Sequence, residues 1–306
     1  MTEPSAGEVP SGPPSDRDRP AASGPAASLS RALGPLVVEP SRTAIITDFD
    51  GTLSPIVADP ATARPLPGAA DALTRLTSTF GLVAVVSGRP VAFLADRLPG
   101  VRGVDLVGLY GLEQLAPDGR VVTAEDAEPW RPVVAAAAER LEGTVSPGVL
   151  VEGKGLTVTV HWRRAPERAT ETEALVAAEV IRTALQPHPG RMSIELRPPL
   201  AVDKGTAVEA LAGGFRAACF LGDDLGDLPA FAALARLSAD RGVATVSVAA
   251  VDAESAPEVA AAADLVVEGP TGALDVIRWL ADNAAVPDTS GTGRAPAAGG
   301  PDGRPS

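Results

Sequence analysis

The sequence predicts an α/β protein, with a Rossmann-like parallel-sheet core interrupted by an inserted α+β cap domain. Three observations carry that prediction. Short apolar runs alternate with helical stretches over residues 44–109, the rhythm changes to paired strands and long helices over 114–197, and the first rhythm then resumes as far as residue 280.

Residues 44–48 are an apolar run closed by Asp48, a buried strand, and residues 68–78 carry a helical period. A second strand follows at 82–87, then a helix over 90–98 that opens on Pro90, whose fixed φ suits a first turn. A third strand spans 105–109. Such a βαβαβ run closes through right-handed crossovers into a parallel sheet, with its sites at the carboxyl ends of the strands. The turn Pro117-Asp118-Gly119 then marks a polar hairpin, and an Ala-rich helix covers 129–142. Strands at 149–152 and 156–162, the latter alternating at Leu156, Val158 and Val160, precede a helix over 166–185 and a strand at 192–196. Two helices on a mostly antiparallel sheet make a separate layer. A helix at 204–211, a strand at 218–221, a helix at 228–234, strands at 244–248 and 265–267 and a helix at 271–280 restore the parallel pattern. The core is therefore expected at 29–113 and 198–282, with the cap at 114–197 between its halves. Residues 1–28 and 283–306 are rich in Pro, Gly, Ala and Ser without a hydrophobic period, and read as disordered tails.

The composition narrows the function. Thirty-nine acidic against 26 basic side chains leave a net charge of −13, which argues against a nucleic-acid or anionic-membrane surface. An anionic substrate must then meet locally placed cations. The single Cys219 lies in an apolar stretch, so no disulfide forms within the chain, as fits a reducing cytoplasm. No apolar segment is long enough to cross a membrane, and the N-terminus lacks the basic and then apolar start of a signal peptide. The expectation is a cytoplasmic, monomeric protein acting on a small molecule.

Asp48-Phe49-Asp50-Gly51-Thr52-Leu53 begins at the end of the first strand. Two carboxylates one residue apart at such an edge suit a hard cation and an anionic substrate, and Asp48 can attack phosphorus. Asp50 can protonate the departing alkoxide and then deprotonate the attacking water. In isolation Asp-x-Asp also serves as a simple strand-to-turn transition. Ser87-Gly88-Arg89 closes the second strand and opens a helix, where a hydroxyl and free N–H groups hold phosphate oxygens. Lys204 starts the helix after the cap, and its ammonium there neutralises phosphate and carboxylate together. Gly222-Asp223-Asp224-Leu225-Gly226-Asp227 packs three carboxylates into one loop, which a bound cation makes far easier.

These four blocks, in this order, resemble the haloacid dehalogenase superfamily of aspartate-nucleophile phosphatases. The resemblance implies Asp48 as nucleophile and Asp50 as general acid and base. It implies Mg²⁺ held by Asp48, the main-chain carbonyl of Asp50 and Asp223, with Asp227 supporting through water and Asp224 behind them. It implies Thr52, Ser87 and Lys204 as the phosphate holders. The cap strings Gly108-Leu109-Tyr110-Gly111-Leu112-Glu113, Val151-Glu152-Gly153-Lys154-Gly155-Leu156 and Ile194-Glu195-Leu196-Arg197-Pro198, followed by Asp203-Lys204-Gly205, look like those of the trehalose-6-phosphate phosphatases. The likeness runs over residues 44–280 and implies that Glu152, Lys154 and Glu195 contact the sugar of a sugar phosphate, with Arg197 helping at the cap–core boundary. One departure stands out: Gly226 and Leu228 occupy places where that family carries Thr and Glu. Another sugar or polyol phosphate, or a non-catalytic sugar-phosphate sensor on the same scaffold, are the alternatives.

Three other features carry no site. Residues 148–154 begin like a nucleotide phosphate loop, but Gly155 replaces the hydroxyl residue and Val149-Leu150-Val151 reads as strand. His161 and His188 are too isolated to form a metal pair. Arg163-Arg164 reads as a solvated strand end.

Overall fold

The computed structural model describes residues 25–284. The elements in chain order are α1 (Pro25–Leu33), β1 (Thr43–Thr47), α2 (Ala69–Thr77), β2 (Leu82–Val86), α3 (Val91–Arg97), β3 (Asp105–Gly108), β4 (Glu113–Leu115) and β5 (Val121–Thr123). The inserted stretch supplies α4 (Arg131–Glu142), β6 (Leu150–Gly153), β7 (Val158–His161), α5 (Ala169–Thr183), β8 (Gln186–Gly190) and β9 (Ser193–Arg197). The chain then continues through α6 (Lys204–Ala212), β10 (Ala217–Gly222), α7 (Leu228–Arg241), β11 (Ala244–Val251), α8 (Pro257–Ala261), β12 (Leu265–Glu268) and α9 (Gly269–Asn283).

The large sheet has the order β12-β11-β10-β1-β2-β3-β4-β5, parallel from β12 to β3. Every residue of β1 is buried, because β1 lies in the middle of the sheet with helices over both faces. Alternation decides which residue meets which layer. Ile45, Val83, Val85, Cys219 and Leu221 join the side chains of α2 and α9, while Ala44, Ile46, Ala84, Val86, Ala218 and Phe220 join those of α6 and α7. Alanines on that second face let α6 and α7 come close, and a Cβ on Gly205 would stand only 2.5 Å from the Pro229 carbonyl oxygen.

The cap is a four-stranded antiparallel sheet, β6-β7-β9-β8, covered on one side by α4 and α5. Val158, Val160 and Leu196 pack with Val134, Ala137, Leu141 and Val176 to form its core. Its opposite face is polar and looks into the cleft above the large sheet.

The fold class agrees with the sequence prediction, and several details differ. The hairpin assigned to the cap, expected over 114–197, instead joins the large sheet, β4 pairing with β3 and β5 with β4, so the core sheet extends beyond residue 113. β8 was not predicted. Pro187 and Pro189 disguise it, and they are tolerated because β8 is the edge of its sheet. α1 begins inside the expected N-terminal tail and α9 ends at Asn283. The remaining tail residues, 1–24 and 285–306, lie outside the described residues. Among the described residues, no helix is long and apolar enough to cross a membrane.

Candidate active site

Asp48 directly follows β1, and its N–H donates to the Leu221 carbonyl at 2.8 Å, which locks it to β10 at the carboxyl edge of the sheet. The chain then turns back sharply. Gly51 has φ +78°, its N–H donates to the Ser54 carbonyl at 2.7 Å, and a Cβ there would fall 2.0 Å from Asp223 Oδ2. Only glycine fits this close approach of the β1 loop to the β10 loop. Thr52 Oγ1 lies 3.5 Å from Asp223 Oδ1, so the predicted phosphate holder is buried beside the acidic loop.

Lys204 is the first residue of α6, a helix start fixed by a capping box in which Asp203 accepts from the Thr206 N–H at 2.9 Å. Its Nζ lies 3.0 Å from Asp48 Oδ1 and 2.6 Å from Asp227 Oδ1. Asp227 Oδ2 accepts the N–H groups of Asp223 and Asp224 at 2.8 and 3.1 Å, so its carboxylate folds the loop as well as anchoring the lysine. Asp224 caps the same turn by accepting from the Gly226 N–H at 2.8 Å, and points less deeply into the site.

Asp48, Asp223 and Asp227 are all buried, and one oxygen of each lies within 4.8 Å of the others. Burial pushes the Asp48 carboxyl well above the usual range; Lys204 opposes this, and the neighbouring acids add to it. Asp223 is likewise pushed well up by burial and then by Asp224, Asp227 and Asp48. Burial disfavours the Lys204 ammonium, but Asp227 and Asp48 outweigh it and the proton is held more tightly than in water. Negative charge here exceeds what Lys204 neutralises, and the donors are all oxygen. That donor set fits a hard divalent cation.

Asp50 is gripped by Arg89, whose Nε and Nη2 donate to its two oxygens at 2.6 and 2.9 Å. Nη1 of the same guanidinium donates to Glu152 Oε1 at 2.9 Å, so one buried arginine joins the core to the cap. The face of Phe93, 4.5 Å away, steadies it. Ser87 is buried nearby, its Oγ accepting the Arg89 N–H at 3.2 Å.

In the cap, Glu195 accepts from Lys154 Nζ at 3.1 Å, Thr157 Oγ1 at 2.7 Å, Tyr110 Oη at 2.6 Å and Arg197 Nε at 3.0 Å. Burial alone would raise its carboxyl, but Lys154 and Arg197 overcome this and hold it far below the usual range. Arg197 stacks 3.3 Å over the Tyr110 ring, at the predicted boundary between cap and core. Glu152 meets His161 Nε2 at 3.0 Å. All four predicted cap residues line one cleft, partly open to solvent, with Asp48, Asp50, Ser87, Lys204, Asp223 and Asp224.

Sequence reasoning missed the residues that connect these parts. Arg89 stood in the Ser-Gly-Arg triplet without a role, and a cation just before a helix N-terminus is electrostatically misplaced unless an acid faces it. Tyr110 is the only tyrosine of the chain, and its φ of +64° is unusual for that residue type. Arg191, in the β8–β9 turn, lies 3.2 Å from Asp223 Oδ2, donates to Ser255 Oγ at 3.0 Å and pairs with Asp252 at 3.3 Å. Arg163 and Arg164 also tie cap to core, through Glu254 and Asp59 at 3.2 and 3.3 Å, where a solvated strand end was expected.

Comparisons with known proteins give the chain a family and a fold. The family model described as Trehalose-phosphatase matches residues 46–267. The trehalose-phosphate phosphatase of Mycobacterium avium (strain 104) is 45% identical over 202 residues, which cover 62% of this chain and 51% of that protein. The trehalose-phosphate phosphatase of Mycobacterium leprae (strain TN) is 40% identical over 205 residues, covering 62% of this chain and 47% of that one. The chain thus spans about half the length of the curated relatives it matches. Among solved structures, the C-terminal domain of C. albicans trehalose-6-phosphate phosphatase superposes with a TM-score of 0.69 at 24% identity, covering 84% of this chain and 98% of that one. A trehalose-6-phosphate phosphatase related protein gives 0.66 at 22% identity, covering 78% and 97%. At those identities the structural likeness establishes the fold.

Proposed function

This chain belongs to the trehalose-phosphatase family, and from that premise we propose that it hydrolyses trehalose 6-phosphate to trehalose and phosphate through an aspartyl phosphate on Asp48. The observation that carries the reading is the buried contact of Lys204 with Asp48 at 3.0 Å, beside Asp50 and beneath a polar cap face. Lys204 holds Asp48 in place and offsets charge when a phosphoryl group arrives. An Asp48 oxygen forms the new bond to phosphorus while the bond from phosphorus to the sugar oxygen breaks. Asp50 gives that departing oxygen its proton. Asp50 then takes a proton from water, whose oxygen displaces Asp48 from phosphorus and releases phosphate. Arg89 holds Asp50 at the cleft as a carboxylate and must release one of its oxygens when Asp50 carries the proton. Ser87 in the cleft lining offers its hydroxyl to the phosphate oxygens, while the hydroxyl of Thr52, predicted for the same role, is turned to Asp223 at 3.5 Å.

Mg²⁺ would be held by Asp48, Asp223 and the main-chain carbonyl of Asp50, with Asp227 and Asp224 supporting the loop, and when bound it supplies charge neutralisation at the phosphoryl oxygens. Glu152, Lys154 and Glu195 read the sugar, and Arg197 seats the cap. The reading carries with it a cytoplasmic, monomeric protein whose partner is a small sugar phosphate, with neither nucleic acid nor membrane involved. The net charge of −13 and the buried, unpaired Cys219 support it.

A second reading, the same chemistry on another sugar or polyol phosphate, is favoured by Gly226 in the acidic loop and Leu228 at the start of α7. A panel of sugar phosphates with Mg²⁺ separates the two. Trehalose 6-phosphate should give the highest kcat/KM, and a clear preference for a different sugar phosphate would overturn the assignment.

A further inference from the structure

The polar face of the cap sheet is set by register. Glu152 of β6 pairs with Thr159 of β7, Thr159 pairs with Glu195 of β9, and Glu195 pairs with His188 of β8. One row across all four strands therefore reads Glu152, Thr159, Glu195, His188, and all four line the cleft. Alternation along β7 gives the reason: Val158 and Val160 enter the cap core, so Thr157, Thr159 and His161 face the other way. Thr157 donates to Glu195 and His161 meets Glu152, so both neighbours of Thr159 along the strand are engaged. Thr159 is different. It is 4% exposed, and its hydroxyl is the one buried side-chain polar atom among the described residues that finds no hydrogen-bond partner.

A buried hydroxyl without a partner costs free energy, so its presence in the middle of a binding row needs an occupant. The two carboxylates beside it are already engaged by donors, Glu195 by four and Glu152 by Arg89 and His161. Thr159 is the one buried hydroxyl of the row that offers both a free O–H and free lone pairs, whereas the His188 imidazole stands half-buried on the edge strand. That pairing is complementary to a sugar hydroxyl, which is also donor and acceptor at once. We propose that Thr159 is a specificity-determining residue that hydrogen-bonds a hydroxyl of the substrate's sugar between Glu152 and Glu195. The proposal rests on the sugar-phosphate reading of this cleft. A valine would leave that sugar hydroxyl facing a methyl group, and a site built to bond a hydroxyl discriminates sharply when one partner is removed.

Thr159→Val and Thr159→Ser test it, with thermal unfolding measured beside kinetics on trehalose 6-phosphate and on a small aryl phosphate that does not reach the cap. Valine keeps the shape and the β-branching, so Thr159→Val should hold or raise Tm, because it removes an unpartnered buried polar atom. It should raise KM for the disaccharide phosphate by about tenfold, chiefly without a matching fall in kcat. Thr159→Ser, which keeps the hydroxyl, should recover most of that KM. Calorimetric binding of trehalose itself, which needs no turnover, should weaken in step in the valine variant. Unchanged KM and trehalose binding, equal losses on both substrates, or a lowered Tm with no recovery by serine would each overturn the proposal. If the wild-type protein prefers a different sugar phosphate, the substrate assignment fails by that result alone, and the comparison of Thr159→Val with wild type on the preferred sugar still decides the role of Thr159.

Discussion

At Gly51 an added methyl group would stand 2.0 Å from Asp223 Oδ2 on a backbone with φ +78°. Gly51→Ala should therefore displace Asp223 and strain the turn, costing roughly 1–2 kcal/mol of stability and at least about tenfold in kcat. Chemical denaturation and phosphate release measure the two, and a variant normal in both would mean that the loops do not meet as described. Glu195 makes a prediction in pH. Its carboxyl is held far below the ordinary value of 4.5, so its charge contributes stability at pH above that value, and the contribution is lost as pH falls through the depressed pKa. The stability gap between wild type and Glu195→Gln should thus be constant above about pH 5 and shrink in acid. A gap that widened in acid would contradict the charge assignment. The clustering of the candidate site was legible because Asp48, Asp50, Lys204 and the acidic loop stand in short contiguous blocks at strand and helix ends. Arg89, Tyr110, Arg191 and Thr159 were not, since their roles depend on which distant strand faces them.

At the scale of elements, α6 shows how a helix start carries a cation into the candidate site. Asp203 caps it and Lys204 follows, so the same turn that begins the helix aims the ammonium at Asp48. Asp203→Ala should cost about 1 kcal/mol, lowering Tm by roughly 2–4 °C, and should reduce kcat because Lys204 is no longer held. An unchanged kcat with lowered Tm would separate the cap of the helix from the site. Strands β1, β2, β3, β10 and β11 were readable because both of their faces are buried, and buried strands are unbroken apolar runs. β8 was hidden by its two prolines, and the β4–β5 hairpin was visible as a hairpin but not as part of the core sheet. Local turn chemistry identifies a hairpin, whereas its partner strand is a matter of tertiary packing.

For the whole molecule, the proposed function divides the labour: the polar cap face would take the sugar and the core acids with Lys204 would take the phosphoryl group. Lys154 belongs to the cap, 3.1 Å from Glu195, and contacts none of the core acids described above. Lys154→Ala should lower kcat/KM for trehalose 6-phosphate by roughly thirty- to a hundredfold, the size of a lost charged hydrogen bond of about 2–3 kcal/mol. Its effect on a small aryl phosphate should be far smaller, and equal losses would remove the cap from substrate recognition. The central claim is that Asp48 attacks phosphorus. It is tested most directly by phosphate release from trehalose 6-phosphate with Mg²⁺, wild type beside Asp48→Asn. The amide cannot form the acyl phosphate, so turnover should fall by several orders of magnitude while the variant still folds and binds the sugar phosphate; near-normal turnover by Asp48→Asn would contradict the account.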